Sequence, residues 1–260
     1  MPIMKKPAIC VSESNRLSGF APDWPAPIGV KAFCAHQNPD MEQELADFRA
    51  QPDREMLKAG LSIVPKWLKQ THGVECINIT HASESAEILH ADAAYFCGIN
   101  NILPTACVVL TADCLPILLC SLDGQEVAAI HAGWRGLVAG VIESALQHFR
   151  APASEIMAWL GPAISQTAFE VGPEVRAAFL AAMRGYCEPT ASAFKESTNP
   201  GRYFADLYQL ARLRFYNAGV NRIHGGDFCT YADHRFPSFR RDGSGSGRMA
   251  TLIWLAKGGL

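Results

Sequence analysis

No run of the ~20 apolar residues that a membrane span needs occurs in this 260-residue chain. Nor does an apolar run of signal-peptide length follow the two lysines near the N-terminus, so the expected compartment is the cytoplasm. A basic surplus is also missing. Lysine and arginine total 23 against 25 acidic residues, a net charge of −2, which speaks against a protein built to hold nucleic acid. There is no internal repeat and no linker long enough to mark a boundary. There is no tight Cys-x-x-Cys or His-x-x-x-His pair. The nine cysteines are odd in number and several lie inside apolar runs, as in Ala106-Cys107-Val108-Val109-Leu110. That suits reduced, buried thiols better than a disulfide framework.

What is present is an ordered series of short elements. The first 25 residues, rich in proline and polar side chains, read as an irregular lead-in. Ile28 to Ala35 reads as a first strand, and Pro39 to Leu61 as one or two surface helices broken near Pro52. Trp67 to Gln70 and Val74 to Thr80 read as short strands flanking a His72-Gly73 turn. Ala106–Leu110, Leu115–Cys120 and Glu126–Ile130 are continuous apolar runs of buried-strand type, with a turn at Asp123-Gly124. Helical spacing covers Gly136 to Phe149, Pro173 to Met183 and Asp206 to Ala218, with strands at Met157–Leu160, Arg222–Phe228 and Arg248–Ala256. The loop Thr230 to Gly247 is rich in Arg, Asp, Ser and Gly. Together these predict one mixed α/β domain over 1–260.

Three residues stand apart by local context. His72 lies in Gln-Thr-His-Gly, Cys114 in Thr-Ala-Asp-Cys-Leu-Pro, and His131 in His-Ala-Gly-Trp-Arg-Gly. Each borders a strand, where a ligand is held rigidly, and small residues beside it let backbone approach closely. Two imidazoles and a thiolate make a three-ligand zinc set. A catalytic zinc keeps its fourth position open, whereas a structural zinc is closed by a fourth protein ligand, for which Cys229 is a candidate. His36, His81, His90, His148, His224 and His234 read as ordinary packing or surface residues. Asp113 is a carboxylate between two apolar runs, and a buried carboxylate needs a partner. It reads equally as an acceptor orienting a ligand imidazole, as a general base, or as a turn cap. Arg135, Arg240 and Arg241 are candidates for holding phosphate, because guanidinium binds its oxygens bidentately. Trp134, Tyr231 and Phe239 are aromatics that could stack a purine. Glu170 reads as a helix N-terminal charge.

The same segments carry a resemblance. Trp67–Gly73, Leu110–Pro116, Ala129–Gly136, Trp159–Ile164, Phe169–Gly172, Cys229–Tyr231, Phe239–Gly243 and Ser246–Ala250 follow one another in a familiar order. With these words the chain resembles the laccase-domain purine nucleoside phosphorylases, formerly called multicopper polyphenol oxidoreductases. The resemblance implies an α/β/β/α sandwich of mixed sheets and a zinc on the residues that map to His72, Cys114 and His131. It implies phosphorolysis of adenosine, inosine, guanosine or methylthioadenosine, and deamination of adenosine, with nucleoside and phosphate as partners. For a bacterial branch it also implies removal of misplaced L-serine from a peptidoglycan precursor. The chain departs from the family where an Arg-x-Gly-Gly-Val-Ser-like segment is expected. Here Ala32 to Pro39 has neither those glycines nor that arginine.

Three other readings stay open on the residues. A copper-dependent polyphenol oxidase would need clustered histidines, and only eight are present, mostly scattered. A hydrolase could use Cys114 as nucleophile with His131 or His72 as base. A non-catalytic partner protein could carry the zinc as a structural ion.

Overall fold

The computed structural model describes residues 19–35, 63–80, 89–98 and 105–256. Two mixed sheets face each other. The first runs in the order β1 (Gly19–Phe20), β2 (Val30–Ala35), β16 (Met249–Leu255), β8 (Thr105–Thr111) and β3 (Val64–Lys66). Its pairs are antiparallel except β3 with β8. The second runs β15 (Arg222–Gly225), β11 (Ile156–Leu160), β9 (Leu115–Ser121), β10 (Glu126–Ala132), β7 (Ala93–Cys97) and β5 (Cys76–Asn78). It is antiparallel in the middle and parallel at both edges. A small sheet joins β12 (Glu170–Val171), β14 (Tyr203–Ala205) and β13 (Phe194–Glu196), and β4 (Leu68–Lys69) pairs with β6 (Leu89–His90).

The continuous apolar runs are explained by cover on both faces of the sheets. Every residue of β8, β9 and β10 is buried. Alternate side chains divide the work, as strand geometry requires. Cys107, Val109 and Ile253 of the first sheet meet Phe96, Leu118, Val127, Ala129 and Trp159 of the second. On the far side of the second sheet, Leu115, Ile117, Leu119 and Ile130 pack under helices. These are α1 (Trp134–Ala139), α2 (Val141–Leu146), α3 (Pro173–Ala182), α4 (Cys187–Ser192) and α5 (Leu207–Asn217); α6 (Phe239–Asp242) lies apart in the C-terminal loop. The outer face of the first sheet carries Ala106, Val108, Leu110 and Leu252. Helix, sheet and sheet are thus three of the four expected layers. The one or two surface helices expected at Pro39–Leu61 lie outside the described residues.

Several boundaries differ from the sequence reading, each for a local reason. The expected lead-in carries β1, paired to the end of β2. The helix expected over Gly136–Phe149 is two helices, because Gly140 adopts φ 106, closing α1 and opening α2. The strand expected to reach Phe228 stops at Gly225, where Gly225 and Gly226 both turn to positive φ. The loop Thr230–Gly247 contains α6, capped by the Ser238 side chain accepting from Arg241 N. Among the described residues no helix is long and apolar enough to cross a membrane.

One buried charge closes the helix-side core. Glu126, 2% exposed, accepts from Tyr95 Oη, from Arg150 N at 2.9 Å and from Ala151 N at 3.0 Å. Truncating it strands three donors, each costly to leave unpaired. Glu126→Ala is expected to lower unfolding free energy by about 2–3 kcal/mol in denaturant titration. A loss below about 0.5 kcal/mol, the scale of an ordinary surface substitution, would show that these bonds are dispensable.

Candidate metal centre

Three distant segments converge at one end of the gap between the sheets. His131 lies near the end of β10 and has the parity of Val127 and Ala129, so its ring enters that gap. Cys114 ends the turn from β8 to β9, and His72 sits in the turn between β4 and β5. Their ligating atoms all lie within 4.8 Å of one another, with Cys114 Sγ 3.8 Å from His72 Nε2. The two imidazoles meet edge to face, ring centres 4.7 Å apart. A tetrahedral zinc, with bonds of about 2.3 Å to sulfur and about 2.0–2.1 Å to nitrogen, would space its ligand atoms roughly 3.3–3.6 Å apart. A small contraction therefore seats an ion, and the donor set fits it. His131 is buried, Cys114 half-buried and His72 exposed, so one face opens to solvent. Cys229, the candidate for a closing fourth ligand in the structural-zinc reading, is not in the cluster; its sulfur accepts from Ser165 Oγ at 2.9 Å.

The local sequence explains the convergence. A Cβ on Gly133 would lie 2.8 Å from the His72 ring and 3.2 Å from Cys114 Sγ, so a side chain there would enter the ligand cluster. A Cβ on Gly136 would lie 2.6 Å from Gly73 O, so this glycine lets α1 press on the His72 turn. Among the described residues, two that are not glycine adopt positive φ, and both belong here: His72 at 61° and Asp113 at 78°. Such conformations persist where the surroundings over-determine them.

Asp92 supplies much of that determination. It is fully buried just before β7. Its Oδ1 accepts from His131 Nδ1 at 2.8 Å and His72 N at 2.9 Å. Its Oδ2 accepts from Thr71 N, Thr71 Oγ1 and Gly73 N at 3.1, 2.9 and 2.7 Å. The bond to Nδ1 turns His131 Nε2 toward the ligand cluster. Burial pushes the Asp92 carboxyl up, but bonds from His131, Gly73 and Thr71 override it and hold it far below the usual range. Burial likewise raises Cys114, yet His131 and His72 outweigh it and bring the thiol down to about 6. Burial lowers His131, and Asp92 and Cys114 reverse this, raising it to about 9.

Of the three readings of Asp113, the one in which it orients a ligand imidazole is corrected, since Asp92 accepts from His131 Nδ1. Asp113 accepts instead from Thr230 Oγ1 and from Arg240 N, each at 2.6 Å. Asp92 was missed in the sequence, although Ala91-Asp92-Ala93-Ala94 shows the signal used for Asp113, a lone carboxylate in an apolar run.

The phosphate candidates separate. Arg241 donates to Thr230 O, Tyr231 O, Phe236 O and both oxygens of Asp242. Those bonds use all five guanidinium donors inside its own loop, so Arg241 acts as a staple. Arg240 is exposed; it lies over Phe169, 5.5 Å from the ring centre, and donates one bond to Glu170 O at 3.0 Å. Arg135 is exposed beside Gly133 and rests on Trp134, 4.6 Å from the ring centre. Tyr231 and Phe239 are exposed, while Trp134 packs against the core. Glu170, read as a helix charge, belongs to β12, where its carboxylate accepts from Ser197 and Asn199.

Fold and centre together define an α/β protein with a two-histidine, one-cysteine cluster, open on one face, that could hold a metal ion. Residues 35–256 match the family model described as multi-copper polyphenol oxidoreductase laccase, and the chain belongs to that family. A Pseudomonas aeruginosa relative called purine nucleoside phosphorylase is 43% identical, covering 91% of this chain and 98% of its own. Purine nucleoside phosphorylase YfiH of Escherichia coli is 42% identical, with the same coverages. A crystal structure of a Neisseria meningitidis protein superposes with a TM-score of 0.78 at 37% identity, covering 92% of this chain and 99% of the other.

Two predictions follow from the wiring. Asp92→Asn places an amide among five donors and should weaken metal binding about 10–100-fold, as loss of an orienting partner generally does. Chelator competition measures it, and wild-type affinity would remove Asp92 from the centre. Between pH about 6 and about 9 the metal-free site pairs a Cys114 thiolate with a His131 imidazolium. Metal must then displace one proton, from His131 Nε2. Affinity should rise about tenfold per pH unit in this window, more steeply below it where Cys114 must also ionise, and level off above. A flat profile would contradict this charge assignment.

Proposed function

We infer that the protein is a zinc-dependent purine nucleoside enzyme that cleaves adenosine, inosine, guanosine or methylthioadenosine with phosphate and also deaminates adenosine. The observation that carries this reading is the His72–Cys114–His131 cluster, open on one face, in a chain with relatives named purine nucleoside phosphorylase. When bound, the ion supplies Lewis acidity toward an oxygen atom at its open face. The protein's own part is to hold reactants there. In phosphorolysis a phosphate oxygen bonds to ribose C1′ as the bond from C1′ to the base nitrogen breaks, and the base leaves with a proton. In deamination water adds at purine C6 and ammonia departs. Arg135 and Arg240 have guanidinium donors free of bonds within the described residues, and we assign phosphate to them rather than to Arg241. Tyr231 and Phe239 are the exposed aromatics suited to a purine face.

Zinc is favoured over copper because only one three-ligand cluster occurs among the described residues, whereas a multicopper centre requires several. A second reading has its own support: Asp92, His131 and Cys114 form a carboxylate–imidazole–thiolate line suited to a cysteine nucleophile. This is the form an amidase acting on a misplaced L-serine would take.

The test incubates purified protein with adenosine or inosine, with and without phosphate, and resolves products by chromatography. Free base with ribose 1-phosphate should form only with phosphate, and inosine should form from adenosine. Chelation, His72→Ala and Cys114→Ala should each lower turnover at least about 100-fold, on the scale of losing a preorganised electrostatic group. Metal analysis should give about one zinc per chain. Activity that survives chelation but not Cys114→Ala would select the thiol nucleophile. Absence of every nucleoside product would reject the phosphorylase reading.

A further inference from the structure

The C-terminal loop from Thr230 to Gly247 is stiff within itself. Arg241 ties Thr230, Tyr231, Phe236 and Asp242 together, and Ser238 caps α6. Its far side is anchored by Phe236, which is fully buried between the sheets. Its near side meets the metal turn at Asp113. Both carboxylate oxygens of that residue are taken: Oδ1 by Thr230 Oγ1 and Oδ2 by Arg240 N, each at 2.6 Å. The Asp113 carbonyl accepts from Ile164 N at 3.0 Å, and Thr230 N bonds to Ala163 O at 3.0 Å. Asp113 is 9% exposed and precedes Cys114, a metal ligand. The residue it grips by the backbone, Arg240, carries an exposed guanidinium, and its neighbour Phe239 is 54% exposed.

We propose that Asp113 is a positioning residue that latches the Phe239–Arg240 surface to the metal turn, and not the group that moves protons in the reaction. A carboxylate already accepting two short bonds, and wedged in a left-handed turn, is committed to geometry. The backbone bond fixes Arg240 Cα relative to Cys114, while the bond from Arg240 Nη1 to Glu170 O directs the side chain. Substrate groups held by Arg240 or Phe239 are thereby registered to the open face of the centre. This inference rests on the phosphorylase reading for its kinetic arm alone.

The decisive substitution is Asp113→Asn. Asparagine tolerates the left-handed conformation. It can accept from Arg240 N while its amide donates to the Thr230 hydroxyl, so the latch survives without the acid. Asp113→Gly removes the latch without backbone strain, since glycine accepts φ 78, and Thr230→Val removes half of it. In zinc-loaded protein, Asp113→Gly should raise KM for nucleoside or phosphate about tenfold with a smaller fall in kcat. Thr230→Val should do so less, and Asp113→Asn should stay within about threefold of wild type, well short of the loss expected for a general acid or base. Hydrogen exchange supplies an arm independent of activity. The Arg240 amide should exchange at least about tenfold faster in Asp113→Gly, and stay protected in Asp113→Asn. Zinc content should be unchanged in all three. A kcat loss of about 100-fold or more in Asp113→Asn, with the Arg240 amide still protected, would make Asp113 the proton carrier and overturn the proposal. Unchanged Arg240 protection in Asp113→Gly would overturn it as well. If wild-type protein phosphorolyses no nucleoside, the phosphorylase reading fails while the exchange arm still decides the latch.

Discussion

One carboxylate gathers the donors that set the centre. Asp92 faces the Thr71–Gly73 backbone on one side and the His131 ring on the other, with no solvent to share the task. Its charge makes those bonds stronger than neutral ones, and losing any would strand a polar group in a dry setting. The carboxylate in turn fixes which nitrogen of His131 faces Cys114. The left-handed turn at His72 is held by the same bonds. A single buried anion thus positions two of the three residues of the cluster.

Around that anion, the glycines and the strands have complementary roles. Strands β8, β9 and β10 are locked on both faces, so the turn bearing Cys114 and the end bearing His131 have little freedom. Gly133 and Gly136 clear the volume that lets the ligands and α1 close together. Rigidity comes from the sheets and proximity from the missing side chains. The word His-Ala-Gly-Trp-Arg-Gly encodes both requirements in six residues.

Much of this was legible in the sequence. The three residues of the cluster could be named because each stands in a small-residue context at a strand boundary, and the buried runs fixed the central strands. Asp92 was not found, because its importance lies in contacts 19 to 39 residues away that no local pattern reports. Asp113 was noticed for the right reason, burial of a charge, but its partners, 117 and 127 residues distant, gave it another task. The arginines illustrate the same limit. Arg240 and Arg241 are neighbours of identical type, yet one spends its donors on its own loop and the other faces outward. Helix and strand ends were missed where glycine took positive φ, at Gly140 and Gly225, since the residue type permits that turn without requiring it.

Because the three residues come from separate segments, His72 and Cys114 being 42 positions apart in sequence, the cluster forms only when the two sheets bring those segments together. The order of exposure, from buried His131 to exposed His72, gives the centre an inside and an outside. A cluster able to receive a cation is therefore complete only once the sheets have closed, and its entrance lies on the solvent side, beside the outermost imidazole.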